Sequence, residues 1–149
     1  MRDLGRIHTG IDGVSAIKLA QTAGFSNINI DLMYGLPNQS EEEALSDLSP
    51  AILQGPQHIS WYELTIEPNT IFYSNPPNLP KENTLEAIQE AGLAFLFENG
   101  YSRYEISAFS KLNHQCQHNL NYWRFGDYLG IGAGAHGKIT KKDNSITRY

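Results

Sequence analysis

At 149 residues with 40% hydrophobic side chains, the chain can bury one ordinary core, since a domain of about 150 residues hides roughly two thirds of its unfolded surface. A balance of 11 Lys and Arg against 16 Asp and Glu leaves a net charge of -5; this argues against nucleic acid as a partner, because phosphate neutralisation needs clustered cations and the one dense pair is Lys141-Lys142. Cys116 is the sole cysteine, which excludes an internal disulfide and any site built from several thiolates of this chain, while no apolar run approaches the roughly 20 residues of a membrane span and no hydrophobic stretch follows Met1, so the expected location is the cytoplasm.

In chain order, residues 14 to 23 read as a helix with Ile17 and Ala20 on one stripe, ended by Gly24. A strand follows over Ile28 to Met33 and breaks at Gly35-Leu36-Pro37. Ser40 with Glu43 forms an S-x-x-E capping box that opens a second helix through Leu45, Leu48 and Ile52, stopped by Gly55-Pro56. A second strand runs from Ile59 to Ile66. After a proline-rich loop come a third helix through Leu85, Ile88, Phe95 and Leu96, closed by Asn99-Gly100, and a third strand over Tyr101 to Ser107. A fourth strand is expected near Tyr128 to Ile131.

Alternating helices and strands with short glycine-bearing turns describe βαβ units and a parallel sheet. Period-two alternation puts Ile28, Ile30 and Leu32 on one face of the first strand and Asn29, Asp31 and Met33 on the other. In the second strand Trp61, Glu63 and Thr65 share a face opposite Ser60, Tyr62 and Leu64, and the third offers Glu105 and Ser107. Buried parallel strands are apolar on both sides, so polar groups recurring on one face suggest a lumen or cleft for a polar ligand, with exposure at a sheet edge as the alternative. A closed β/α barrel takes about 250 residues; the chain supplies about half of one, and so is either an open doubly wound sheet or a fragment.

The densest chemistry is His114-Gln115-Cys116-Gln117-His118-Asn119-Leu120-Asn121-Tyr122-Trp123. His114, Cys116 and His118 could ligate zinc, though a fourth ligand is not evident. Cys116 and His118 could form a nucleophilic pair, without a readable orienting acid or oxyanion donors. His118 could offer its imidazole to haem iron with Tyr122 and Trp123 along the porphyrin. The plain alternative is a polar loop anchored by two aromatics. The run Gly130-Ile131-Gly132-Ala133-Gly134-Ala135-His136 lacks the spacing of a dinucleotide or phosphate loop and implies only a close backbone approach to a ligand or a neighbouring strand.

Taken together, Asn29-Ile30-Asp31-Leu32-Met33-Tyr34-Gly35-Leu36-Pro37 with Gln39, Leu64-Thr65-Ile66-Glu67-Pro68-Asn69-Thr70, Tyr104-Glu105-Ile106-Ser107, Cys116-x-His118-Asn119-x-x-Tyr122-Trp123 and Asp127-Tyr128-Leu129-Gly130-Ile131-Gly132-x-Gly134-Ala135-His136 closely resemble the radical S-adenosylmethionine (radical SAM) proteins related to oxygen-independent coproporphyrinogen III oxidase. The His-Asn-x-x-Tyr-Trp element resembles the haem chaperone subfamily more than the oxidases. The resemblance implies a partial radical SAM β/α (TIM-like) barrel, parallel strands with outer helices, over residues 1–136, with 137–149 beginning a linker to an accessory domain. It further implies S-adenosylmethionine contacts at Arg6, Asp31, Thr65, Ala135 and His136, and haem binding through His118 as iron ligand with Tyr122 and Trp123. From sequence alone Arg6 reads as a solvated charge near the terminus.

The family holds a 4Fe-4S cluster on a Cys-x-x-x-Cys-x-x-Cys loop, which this chain lacks. The expectation is therefore an internal fragment, catalytically inert, whose full-length parent carries the cluster, binds haem and S-adenosylmethionine, and delivers haem to recipient haemoproteins. The alternative is a parent that oxidatively decarboxylates coproporphyrinogen in porphyrin biosynthesis. A truncated barrel also leaves an unpaired sheet edge, so the fragment is expected to self-associate.

Overall fold

The computed structural model describes residues 7–149, which divide into two compact units at His114 and Gln115. Arg6 lies outside the described residues.

The first unit begins with α1 (Gly10–Thr22). It starts four residues before the expected start at position 14, because Thr9 and Asp12 form a capping box: the Asp12 amide donates to Thr9 Oγ1 at 3.3 Å, and the Thr9 amide to Asp12 Oδ2 at 2.8 Å. After β1 (Asn29–Tyr34), the expected box at Ser40 and Glu43 opens α2 (Glu41–Leu53). Then come β2 (His58–Glu63), the single turn α3 (Ile71–Ser74), α4 (Glu82–Glu98), β3 (Ser102–Glu105) and β4 (Ala108–Ser110).

The strands form one sheet in the order β1-β2-β4-β3. β1 and β2 pair in parallel around α2, with Asn29 opposite His58 and Tyr34 opposite Glu63. The third expected strand, Tyr101 to Ser107, is not one strand. It bulges between Arg103 and Glu105, turns after Glu105, and returns as β4, which inserts antiparallel between β3 and β2. The sheet is thus mixed, against the expectation of parallel strands alone, although β3 still runs in the same direction as β1 and β2. At the other edge β1 has no further partner among the described residues.

The core lies on the helical side of the sheet. Ala44 and Leu48 of α2, Ile88 and Leu96 of α4, and Tyr34, Ile59, Trp61 and Phe109 of the strands close over one another. Trp61 sits at the centre, its ring 4.3 Å from Tyr34 and 6.4 Å from Phe109 between centroids. This overturns the grouping of Trp61 with the polar face: it is 3% exposed, and the open face of β2 is His58, Ser60 and Tyr62. Tyr101 is buried in the same core, donates to the Pro56 carbonyl at 2.7 Å, and has its hydroxyl pKa pushed up to about 12 by desolvation.

The second unit holds α5 (Gln117–Trp123) and a hairpin of β5 (Lys138–Thr140) with β6 (Ile146–Arg148). The strand expected near Tyr128 to Ile131 reduces to one bridge, Tyr128 to Lys138. Lys138 anchors this unit. Its buried ammonium donates to the Phe125 carbonyl at 2.7 Å and to Asp127 at 3.0 Å, while Asp127 accepts from the Thr140 amide and hydroxyl at 2.9 and 2.8 Å. Those bonds hold the Asp127 carboxyl below its ordinary pKa, the Thr140 amide contributing most.

Gly92 of α4 shows how tightly the first core is closed: a Cβ there would fall 1.9 Å from the Trp61 ring. The ring is backed by Tyr34 and Phe109 and has little room to retreat. Gly92→Ala gains helix propensity of about 1 kcal/mol yet should still destabilise the unit by about 1–3 kcal/mol through overpacking. Urea unfolding of the variant checks this, and a neutral or stabilising result would show the ring to be mobile.

Candidate functional site

The face of the sheet opposite α2 and α4 carries the candidate site of the first unit. Alternation turns Asn29 and Asp31 of β1 onto it, both exposed, and the parallel register sets Asp31 against Ser60 of β2. Asn29 Nδ2 donates to Asp31 Oδ1 at 2.7 Å, and Ser60 Oγ donates to Asn29 Oδ1 at 3.2 Å. Thr65 follows the end of β2 and is exposed. A carboxylate steadied by an amide, beside a hydroxyl, is a good acceptor for ribose hydroxyls and a counter-charge for a sulfonium. The donor set at Asp31 therefore fits the nucleoside or sulfonium portion of S-adenosylmethionine.

His58 joins this face, and sequence reading missed it. Only 5% of it is exposed. Its Nδ1 lies 2.5 Å from Asn29 Oδ1 and its Nε2 2.6 Å from the Tyr104 hydroxyl. The partners lie 29 and 46 residues away in sequence, so no local motif announces them; the only available sign was a histidine at the entry of the strand.

In the second unit two of the expected haem residues, His118 and Tyr122, meet, and Trp123 ends the same helix. His118 and Tyr122, one helical turn apart on α5, meet edge-on at 4.8 Å, and Tyr122 leans on Tyr128 at 4.8 Å. Desolvation, then the Tyr128 hydroxyl, raises the Tyr122 pKa. His118 is exposed, as are Tyr122 at 47% and Trp123 at 65%, with Phe125 and Leu129 more exposed still. Imidazole and rings are thus exposed rather than serving as core. Ala135 and His136 are also exposed in this unit. The glycine run approaches its own backbone: a Cβ at Gly130 would lie 2.2 Å from the His136 carbonyl oxygen.

Among the described residues no three His, Cys, Asp or Glu side chains gather to hold a metal ion, which leaves the zinc alternative at His114, Cys116 and His118 without a geometry. One cysteine does not fit a 4Fe-4S cluster either, since the three thiolates of the family's loop are not in this sequence. No helix among the described residues is long and apolar enough to cross a membrane.

Burial holds the His58 pKa below its ordinary 6.5, with the Asp31 charge pulling the other way. The folded chain therefore takes up this proton at lower pH than the unfolded chain. Stability is complete above the unfolded value and declines as pH falls from there toward the folded one. Melting temperature should drop as pH falls below the ordinary histidine value of 6.5, and His58→Gln should flatten that drop; parallel curves for the two proteins would exclude His58 as its source.

No family model matches the chain. It is 55% identical over 149 residues to the heme chaperone HemW of Haemophilus influenzae, covering 100% of this chain and 39% of that protein. With the heme chaperone HemW of Escherichia coli it shares 56% identity over 148 residues, 99% of this chain and 39% of the relative. Among solved structures, the fold matches the E. coli coproporphyrinogen III oxidase HemN, described as a radical SAM enzyme, with a TM-score of 0.75 at 22% identity, over 91% of this chain and 35% of that one. Over essentially its whole length the chain is similar to these HemW heme chaperones, and it spans about two fifths of the length of those it matches.

Proposed function

We propose that the chain is the later part of the radical SAM β/α barrel of a haem chaperone, which binds haem as cargo and passes it to recipient haemoproteins. The observation that carries this reading is the exposed His118 imidazole set edge-on to Tyr122, with an exposed Trp123 on the same helix, in a sequence 55% identical to a heme chaperone. His118 supplies the iron ligand, because imidazole is the strongest donor in the His-Asn-x-x-Tyr-Trp element, and the two rings supply apolar area for the macrocycle. Membership of the radical SAM family implies S-adenosylmethionine and a 4Fe-4S cluster. On this reading Asp31 and Thr65 are S-adenosylmethionine contacts of the first unit, the resemblance assigns the same role to Arg6, Ala135 and His136, and the cluster rests on thiolates this sequence does not contain.

Residues 1–136 are assigned to the barrel and 137–149 to the start of a connection to an accessory domain, and the protein is assigned to the cytoplasm. The coproporphyrinogen oxidase alternative rests on the likeness to HemN, which at 22% identity concerns the fold alone.

The test uses a protein of the relatives' full length carrying this sequence. His118→Ala should weaken haem binding by about tenfold or more and shift the Soret band, with S-adenosylmethionine affinity unchanged; Asp31→Ala should do the reverse. Haem titration of the His118 variant that returns the original affinity and Soret position would remove the residue from the site. The chain by itself, with the outer edge of β1 unpaired among the described residues, should self-associate, and sedimentation over about a hundredfold concentration range that shows only monomer would mean the edge is protected.

A further inference from the structure

The open face of the sheet contains a chain of hydrogen bonds that the reading above leaves unused. It crosses three strands: Tyr104 on β3, His58 on β2 and Asn29 on β1, ending at Asp31. The direction of each link follows from chemistry. The Asn29 carboxamide nitrogen faces Asp31 at 2.7 Å as a donor, so its oxygen faces His58 and can only accept. His58 Nδ1 therefore carries the proton. The ring is buried and its pKa is lowered by desolvation, so it is neutral near pH 7, its Nε2 is an acceptor, and the Tyr104 hydroxyl donates to it at 2.6 Å. Tyr104 to His58 to Asn29 to Asp31 is a line of donors all pointing the same way, and such lines polarise one another.

We propose that His58, backed by Tyr104, is a positioning residue for Asp31: the relay fixes the Asn29 amide against one carboxylate oxygen, so that Asp31 presents the other as a preset acceptor for the hydroxyl or cationic group of a bound nucleoside ligand. This rests on the reading of Asp31 as an S-adenosylmethionine contact and adds the groups that orient it. Among the described residues no hydrogen bond engages Asp31 Oδ2. An exposed carboxylate on a strand otherwise samples several rotamers, and ordering it before the ligand arrives removes that cost from binding. A histidine that merely filled space in the sheet would not need both ring nitrogens matched to partners on different strands.

The experiment is a double-mutant cycle on S-adenosylmethionine affinity, measured by calorimetry in a protein of the relatives' full length carrying this sequence. Asp31→Asn should weaken binding by about tenfold or more, and His58→Leu or Tyr104→Phe by about threefold to tenfold, while adding either to Asp31→Asn should cost almost nothing more. His58→Asn keeps the donor toward Asn29 and should recover part of the loss. Haem affinity should not change in any of them. Nitrogen-15 NMR should show the neutral His58 protonated at Nδ1. Unchanged affinity in Asp31→Asn would overturn the cofactor reading and the relay with it. A loss in Asp31→Asn together with parental affinity in the His58 and Tyr104 variants, or equal losses in both backgrounds, would overturn the relay alone, as would the opposite tautomer. If His58→Leu fails to fold, Tyr104→Phe, which deletes one hydroxyl, completes the same cycle.

Discussion

Everything in the first unit follows from the register of one pair of strands. β1 and β2 run in parallel with Asn29 opposite His58, Asp31 opposite Ser60 and Leu32 opposite Trp61. Because side chains alternate with period two, that register decides both faces at once. A slip of one residue in β2 would bring Trp61 out of its aromatic cluster and drive Ser60 and Tyr62 toward α2 and α4. It would also separate His58 from Asn29. Core and site are therefore not independent designs: the burial that places Trp61 also delivers the imidazole to its partner.

The core enforces the register through shape. Trp61 is accommodated only because position 92 of α4 has no side chain, so the helix can lie directly on the indole. Burying a large aromatic gives about 2–3 kcal/mol, while a glycine within a helix costs about 1 kcal/mol, and the exchange favours the glycine. Tyr101 contributes at the opposite end of β2, where its hydroxyl ties the chain after α4 to the Pro56 carbonyl just before the strand. The strand is fixed at both ends, with the polar face left free to hold Asp31.

Local rules made the helices legible. Ser40 with Glu43 and Gly55-Pro56 marked the start and stop of α2, and the apolar repeat from Leu85 to Leu96 marked α4. The capping box at Thr9 and Asp12 obeys the same rule but sits beside Gly10 and Gly13, which weaken a helical pattern, so α1 was read as starting late. The hairpin of β3 and β4 was not legible, since Ile106 and Ser107 carry no glycine or proline and the alternation continues through the bend. For the site, Asp31 could be found by face and by resemblance, whereas His58 and Tyr104 acquire meaning only when β4 has been inserted between their strands. Non-local pairing decided what local pattern could not.

The two groups of candidate residues sit on supports of different stiffness, and this matches the proposed tasks. Asp31 projects from a paired strand, with its amide neighbour held by a buried imidazole; a small ligand that must be oriented for chemistry calls for such preorganisation. His118 projects from a seven-residue helix whose first residue follows Cys116, with no side-chain cap. Helices this short draw little stability from their own hydrogen bonds, and the rings beside His118 are largely exposed. Cargo has to leave again. A metal ligand on a short helix, open on one side and supported mainly by Tyr122 and Tyr128, can reorganise when a recipient presents a better-buried site, whereas the same imidazole placed in the core of the first unit would retain haem rather than transfer it.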